Sequence, residues 1–109
     1  MLNEAALACG SVIEIDETAL PAAPAADSAC RLLGLDPLYV ANEGKAVFFA
    51  AAAEAGRVLK ALRRNKYGRH AAVIGRVLKA PKPQVRLNTA IGGSRIILML
   101  EGEQLPRIC

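Results

Sequence analysis

Tryptophan is absent from this chain of 109 residues, which holds only two Phe, two Tyr and one His. Large aromatic anchors are therefore scarce, and nothing builds a platform on which nucleotide bases would stack. The single histidine, His70, has no second imidazole and no paired carboxylate or cysteine spacing to make a metal centre with it. Cys9, Cys30 and Cys109 are an odd, widely spaced set without a Cys-x-x-Cys pair, so neither a disulfide framework nor a zinc site is indicated. Reduced thiols suit the cytoplasm. The segment from Met1 to Ala8 includes Glu4 and lacks the basic lead-in and long apolar core of a secretory signal. No apolar run approaches the roughly 20 residues that span a bilayer, the longest being Ala46 to Ala53, so no membrane is expected as a partner. Charge of one sign is not in large excess either. Fourteen basic residues against ten acidic ones leave a net charge of +4, with the two signs interspersed, which speaks for solubility before nucleic acid.

What is present is enough for one small domain whose apolar content leans on alanine. Leu2 to Cys9 reads as a helix with Asn3 at its N-cap and Gly10 as its stop, followed by a strand from Ser11 to Ile15. Thr18 to Ala26, with Pro21 and Pro24, reads as a connection. A helix capped by Asp27 or Ser28 then runs through Leu33 to Gly34. Gly34 to Pro37 forms a turn, and strands are expected over Leu38 to Ala41 and Ala46 to Ala52. Ala53 to Asn65 is the clearest helix, with Val58, Leu59 and Leu62 on one stripe and Arg57, Lys60 and Arg64 on the other. With Arg63, Lys66 and Arg69 it carries the densest positive patch, whose plainest reading is a solvated helix face. Ala71 to Leu78 reads as a buried strand with Gly75 as a bulge, and Gln84 to Thr89 alternates as a half-exposed strand. Gly92-Gly93 turns the chain into a hairpin partner from Arg95 to Leu100. The fold class that follows is α/β (α+β), a mixed sheet with helices packed on it.

The last residues have a different character. Gly102 to Cys109 is polar, contains Pro106 and ends on a thiol, the composition of a tether that carries a nucleophile. Fully extended, the steps from Glu101 to Cys109 reach about 26–29 Å, enough for one sulfur to visit several sites. The expected organisation is a domain over residues 1–100 and a flexible tail over 101–109. Glu43, in Asn42-Glu43-Gly44-Lys45 between two expected strands, sits where a carboxylate faces either solvent or a cleft.

Three stretches together carry a resemblance: Gly34-Leu35-Asp36-Pro37-Leu38-Tyr39-Val40-Ala41-Asn42-Glu43-Gly44-Lys45, Thr89-Ala90-Ile91-Gly92-Gly93-Ser94-Arg95, and the ending Glu103-Gln104-Leu105-Pro106-Arg107-Ile108-Cys109. In this order, and reaching the same terminus, they resemble the C-terminal part of the HypE family, hydrogenase expression/formation proteins of the aminoimidazole-ribonucleotide (AIR) synthetase-like, or PurM-like, superfamily. The resemblance implies a carbamoyl dehydratase in nickel-iron hydrogenase maturation. In it Cys109 receives a carbamoyl group from a HypF-like carbamoyltransferase, ATP activates the carbamoyl oxygen, and loss of water leaves a thiocyanate. The cyanide then passes to iron on a HypC–HypD-like scaffold. The residue matching the family's proton acceptor is Glu43. ATP and magnesium are implied for the full-length family, whose N-terminal ATP-binding domain this chain lacks, so the chain is expected to hold neither and to act alone as a carrier and docking domain rather than as an active enzyme. The family's N-terminal domain or a second copy are further expected partners. Two other readings stay open: a non-catalytic interaction module that binds the same maturation partners, and a basic anion- or RNA-binding domain resting on the Arg57-to-Arg69 patch.

Overall fold

The structure, a computed structural model, describes residues 1–40 and 43–99. The chain opens with helix α1 (Leu2–Cys9), strand β1 (Ser11–Asp16) and a 3-10 turn at Glu17–Ala19. Helices α2 (Pro24–Leu33) and α3 (Ala55–Arg63) follow, then strands β2 (Gly75–Lys79), β3 (Gln84–Asn88) and β4 (Ser94–Ile97). The strands form one mixed sheet in the order β2-β1-β3-β4. β1 runs parallel to β3 and antiparallel to β2, and β4 returns antiparallel to β3. This is the α/β arrangement expected from the sequence.

Strand register decides the core. Ile13 pairs with Val85, which pairs with Ile97, and Ile15 pairs with Leu87, so these five side chains share one face. Ala6 of α1 packs into that layer, with Leu2, Ala5, Leu20, Leu38, Tyr39 and Ile74 around its rim. Ile15, Leu87 and Val85 are fully buried, each contributing on the order of 1.5–3 kcal/mol by leaving water. α1 stops where Gly10 takes the left-handed conformation at φ 59 and donates its N–H back to the helix.

The opposite face of β1 holds Glu14, buried to 8% exposure between two arginines on neighbouring strands. Arg76 donates through Nε at 3.0 Å and Nη2 at 2.7 Å to Glu14 Oε1, and Arg86 Nη1 lies 3.9 Å from Oε2. The Arg76 hydrogen bonds hold the Glu14 carboxyl below the usual carboxylate range. Burial opposes this, and nearby Asn88 and the charges of Arg76 and Arg86 support it. A depressed folded-state value means that Glu14 contributes stability above the ordinary carboxylate pKa and loses it as pH falls through that value to the lower folded one. Replacing Glu14 by Gln is therefore expected to flatten the decline in melting temperature below about pH 4.5, read by thermal unfolding between pH 7 and pH 3. An unchanged acid profile would contradict the assignment.

Several sequence expectations are corrected. Asn3 does not cap α1: the helix begins directly after Met1, without a side-chain cap. α2 starts at Pro24 rather than after Asp27, because proline's fixed φ and missing N–H are tolerated in the first helical turn. α3 begins at Ala55 and ends at Arg63, inside the expected span. Residues 38–40 form a turn, and 46–52 hold no strand; Phe48 and Phe49 are 63% and 55% exposed. Apolar content did not suffice there, since a strand also needs a ladder partner and a buried face. Gly75 is not a bulge. It pairs in regular register with Ile15, and a Cβ there would lie 2.0 Å from the Glu14 carbonyl oxygen, so glycine permits close backbone approach. The end of the strand expected over Leu38 to Ala41, Leu100 of the hairpin and the whole expected tail at 101–109 lie outside the described residues.

Candidate functional site

Of the two residues that carry the expected chemistry, Cys109 lies outside the described residues, whereas Glu43 is exposed and followed by Gly44 at φ 75. The loop leading to Glu43 is built in steps. α2 ends at Gly34, left-handed at φ 66, with the Leu35 N–H donating to the Cys30 carbonyl at 2.8 Å. Asp36 then closes a local turn: its Oδ1 accepts the Leu38 N–H at 3.0 Å, and its carbonyl accepts the Tyr39 N–H at 3.0 Å. That turn seats Leu38 and Tyr39 against the core.

The second motif meets the first here. Arg95, the second residue of β4, donates through Nη2 to Oδ2 of Asp36, 59 positions earlier. The turn before Arg95 is itself secured. The Gly93 N–H donates to Thr89 Oγ1 at 2.9 Å, the Thr89 N–H to the Gly93 carbonyl at 2.8 Å, and the Ala90 N–H to Glu17 Oε2 at 2.7 Å. Gly92 at φ 86 supplies the left-handed step that this turn requires. The sequence offered both motifs but no sign that they touch. Spacing along the chain cannot reveal a contact made only when β3 and β4 are paired.

The other candidates do not gather into a site. Cys9 is exposed, Cys30 is half-buried, and both are free. His70 is exposed. In the basic stretch Arg57 pairs with Glu54, Arg63 donates to the Ala71 carbonyl at 2.9 Å, and Lys66 lies 4.7 Å from the centre of the Tyr67 ring. Half-buried Val58, Leu59 and Leu62 mark the inner side of α3, as the periodicity predicts. Among the described residues no group of three or more His, Cys, Asp or Glu could hold a metal ion. No helix of the described residues is long and apolar enough to cross a membrane.

Comparison with known proteins agrees with this architecture. The family model for AIR synthase related protein, C-terminal domain, matches residues 1–88. Carbamoyl dehydratase HypE of Rhodobacter capsulatus is 52% identical over 108 residues, which is 99% of this chain and 32% of that protein. A crystal structure of the hydrogenase maturation protein HypE in complex with ATP superposes with a TM-score of 0.89 at 44% identity, over 99% of this chain and 33% of that one. HypE in a HypE-HypF complex gives a TM-score of 0.81 at 36% identity, over 88% of this chain and 31% of that one. The chain spans about a third of the length of the curated relatives it matches. It belongs to the AIR synthase related C-terminal domain family and corresponds, along practically its whole length, to the C-terminal part of HypE.

Proposed function

We propose that this chain serves nickel-iron hydrogenase maturation as the thiol-carrying and docking part of a HypE-type carbamoyl dehydratase, with Cys109 as the carrier and Glu43 as the base. The observation that carries the reading is likeness to HypE along practically the entire chain, with the motifs at 34–45 and 89–95 inside it. The loading partner is a HypF-like carbamoyltransferase, in keeping with the solved HypE-HypF complex. The accepting partner is an iron centre on a HypC–HypD-like scaffold.

The chemistry places distinct demands on the two residues. The Cys109 thiolate attacks an activated carbamoyl carbon, forming the S–C bond as the donor's leaving group departs. The carbamoyl oxygen then takes the terminal phosphoryl group of ATP, an O–P bond forming as the bond to ADP breaks. Glu43 removes one nitrogen proton as the C–O bond breaks and phosphate leaves; loss of the second nitrogen proton completes the thiocyanate. An exposed carboxylate followed by a glycine is open to such a substrate, and a sulfur at the end of a tether can be presented first to one protein and then to another. ATP is a substrate of the joined protein, and its site is assigned to the part of HypE preceding this chain.

The test compares this chain alone with a fusion in which it replaces the matching C-terminal third of the R. capsulatus protein. Carbamoyl-loaded Cys109 is expected to lose water with ATP only in the fusion, seen by intact mass. Conversion by the isolated chain, or none by a folded and loaded fusion, would contradict the division of labour.

A further inference from the structure

We propose that the basic face formed by α3 and the loop after it is a docking surface for an acidic, leucine-containing segment of a partner protein. The inference stands apart from the dehydratase reading and does not rest on it.

The charge of the chain is not spread evenly. Between positions 54 and 70, Arg57, Lys60, Arg63, Arg64, Lys66 and Arg69 stand against a single acid, Glu54. That stretch holds a net charge of +5, whereas the remaining eight basic and nine acidic residues leave the rest of the chain at −1. All six cations are exposed. Lys60 lies three residues from Arg57 and Arg63 and four from Arg64, spacings at which like charges repel across a helix surface. Of the six, Arg57 alone has an ion-pair partner among the described residues, in Glu54. The packing of the domain draws nothing from this crowding, which an acidic partner would relieve.

The surface is also preorganised. The Asn65 N–H donates to the Leu62 carbonyl at 3.0 Å, the Gly68 N–H to the Asn65 carbonyl at 3.1 Å, and the Tyr67 N–H to Asn65 Oδ1 at 2.9 Å. Arg63 Nε donates to the Ala71 carbonyl at 2.9 Å and closes the loop back onto the helix. Gly68 lies so near the end of α3 that a Cβ there would collide with the Leu62 carbonyl. Cations on a fixed backbone cost less to order on binding than cations on a free one.

Composition and shape select the partner. Four of the six cations are arginines, and Tyr67 is 87% exposed. Arginine and tyrosine anchor protein interfaces, from which lysine is depleted. A shallow depression on α3 is lined by Gly56, Leu59, Lys60, Arg63 and Arg64, which sets half-buried Leu59 among three cations. This fits a leucine flanked by carboxylates better than a phosphate backbone, and a lone tyrosine gives nucleotide bases no stacking platform.

The experiment titrates the 109-residue chain with a synthetic peptide that repeats Glu-Glu-Leu, followed by amide NMR. Signals of Gly56, Leu59, Lys60, Arg64 and Tyr67 are expected to move together. Affinity should fall about tenfold or more between about 50 and 300 mM salt, as exposed charges are screened. A Lys60→Gln/Arg64→Gln variant should bind about fivefold or more weakly, whereas Lys79→Gln/Lys82→Gln, which removes the same charge elsewhere, should stay within about twofold. A peptide repeating Glu-Glu-Ser should bind about threefold or more weakly, since it leaves the depression at Leu59 unfilled. Unmoved signals on α3, equal losses in the two variants or equal binding of the two peptides would overturn the proposal. So would tighter binding of a uridine oligonucleotide of matching charge at the same salt, which would assign the face to nucleic acid. The signals and the peptide comparison are read on the unsubstituted chain, so they decide whether or not a variant folds.

Discussion

Gly75→Ala is expected to lower the stability of the domain by on the order of 3 kcal/mol or more, a large part of the roughly 5–15 kcal/mol that holds a domain together. The added Cβ would stand 2.0 Å from the Glu14 carbonyl oxygen and 2.8 Å from the Ile15 Cα. Both are backbone atoms of β1, the strand hydrogen-bonded to β2 on one side and β3 on the other. No side-chain rotation relieves such a clash. Either the β1–β2 pairing opens, which exposes the Glu14–Arg76 contact, or β1 shifts and disturbs the core on its other face. The same substitution at Gly56 in α3 meets nothing within 4 Å and should stabilise by about 0.5–1 kcal/mol through helix propensity. Thermal unfolding of the two variants side by side checks the prediction: a fall of about 10 °C or more for Gly75→Ala and a small rise for Gly56→Ala. Equal midpoints would contradict the close approach of β1 and β2.

Glu43→Gln is expected to slow dehydration in the fusion by about 10²–10⁴-fold, the usual contribution of a positioned general base. Loading of Cys109 should continue at the unsubstituted rate, because thiol attack on the carbamoyl donor does not use Glu43. The carbamoyl form should therefore accumulate. Glu43 is exposed in the described structure, so its replacement should leave the melting temperature within measurement error, separating a chemical effect from a folding defect. Conversion at an undiminished rate would remove Glu43 from the mechanism.

Different parts of the chain were legible for different reasons. β1 could be read from the β-branched residues Val12, Ile13 and Ile15, and β3 from the alternation of buried Val85 and Leu87 with its polar neighbours. The β3–β4 hairpin announced itself through Gly92-Gly93. The stretch at 46–52 was misread because Val47, Phe48 and Phe49 report apolarity, not the presence of a partner strand. Pro24 was read as an interruption although a helix begins on it, for the same residue serves both purposes and only the following turn distinguishes them. The acid at position 14 gave no warning that it would be buried, since the arginines that compensate it lie on strands distant in sequence. At the candidate site, Glu43 and Cys109 could be named from motifs, whereas the Asp36–Arg95 contact required the paired sheet to exist first.

The three thiols make the central claim directly measurable, because Cys9 and Cys30 are free cysteines within the same chain and Cys9 is exposed. The decisive measurement is the intact mass of the chain after incubation with a HypF carbamoyltransferase, carbamoyl phosphate and ATP, beside a Cys109→Ala variant treated identically. The account predicts a gain of one carbamoyl group on the unsubstituted chain and none on the variant, although Cys9 and Cys30 remain available in both. No gain on a demonstrably folded chain, or a gain that persists in Cys109→Ala, would contradict the assignment of Cys109 as the carrier.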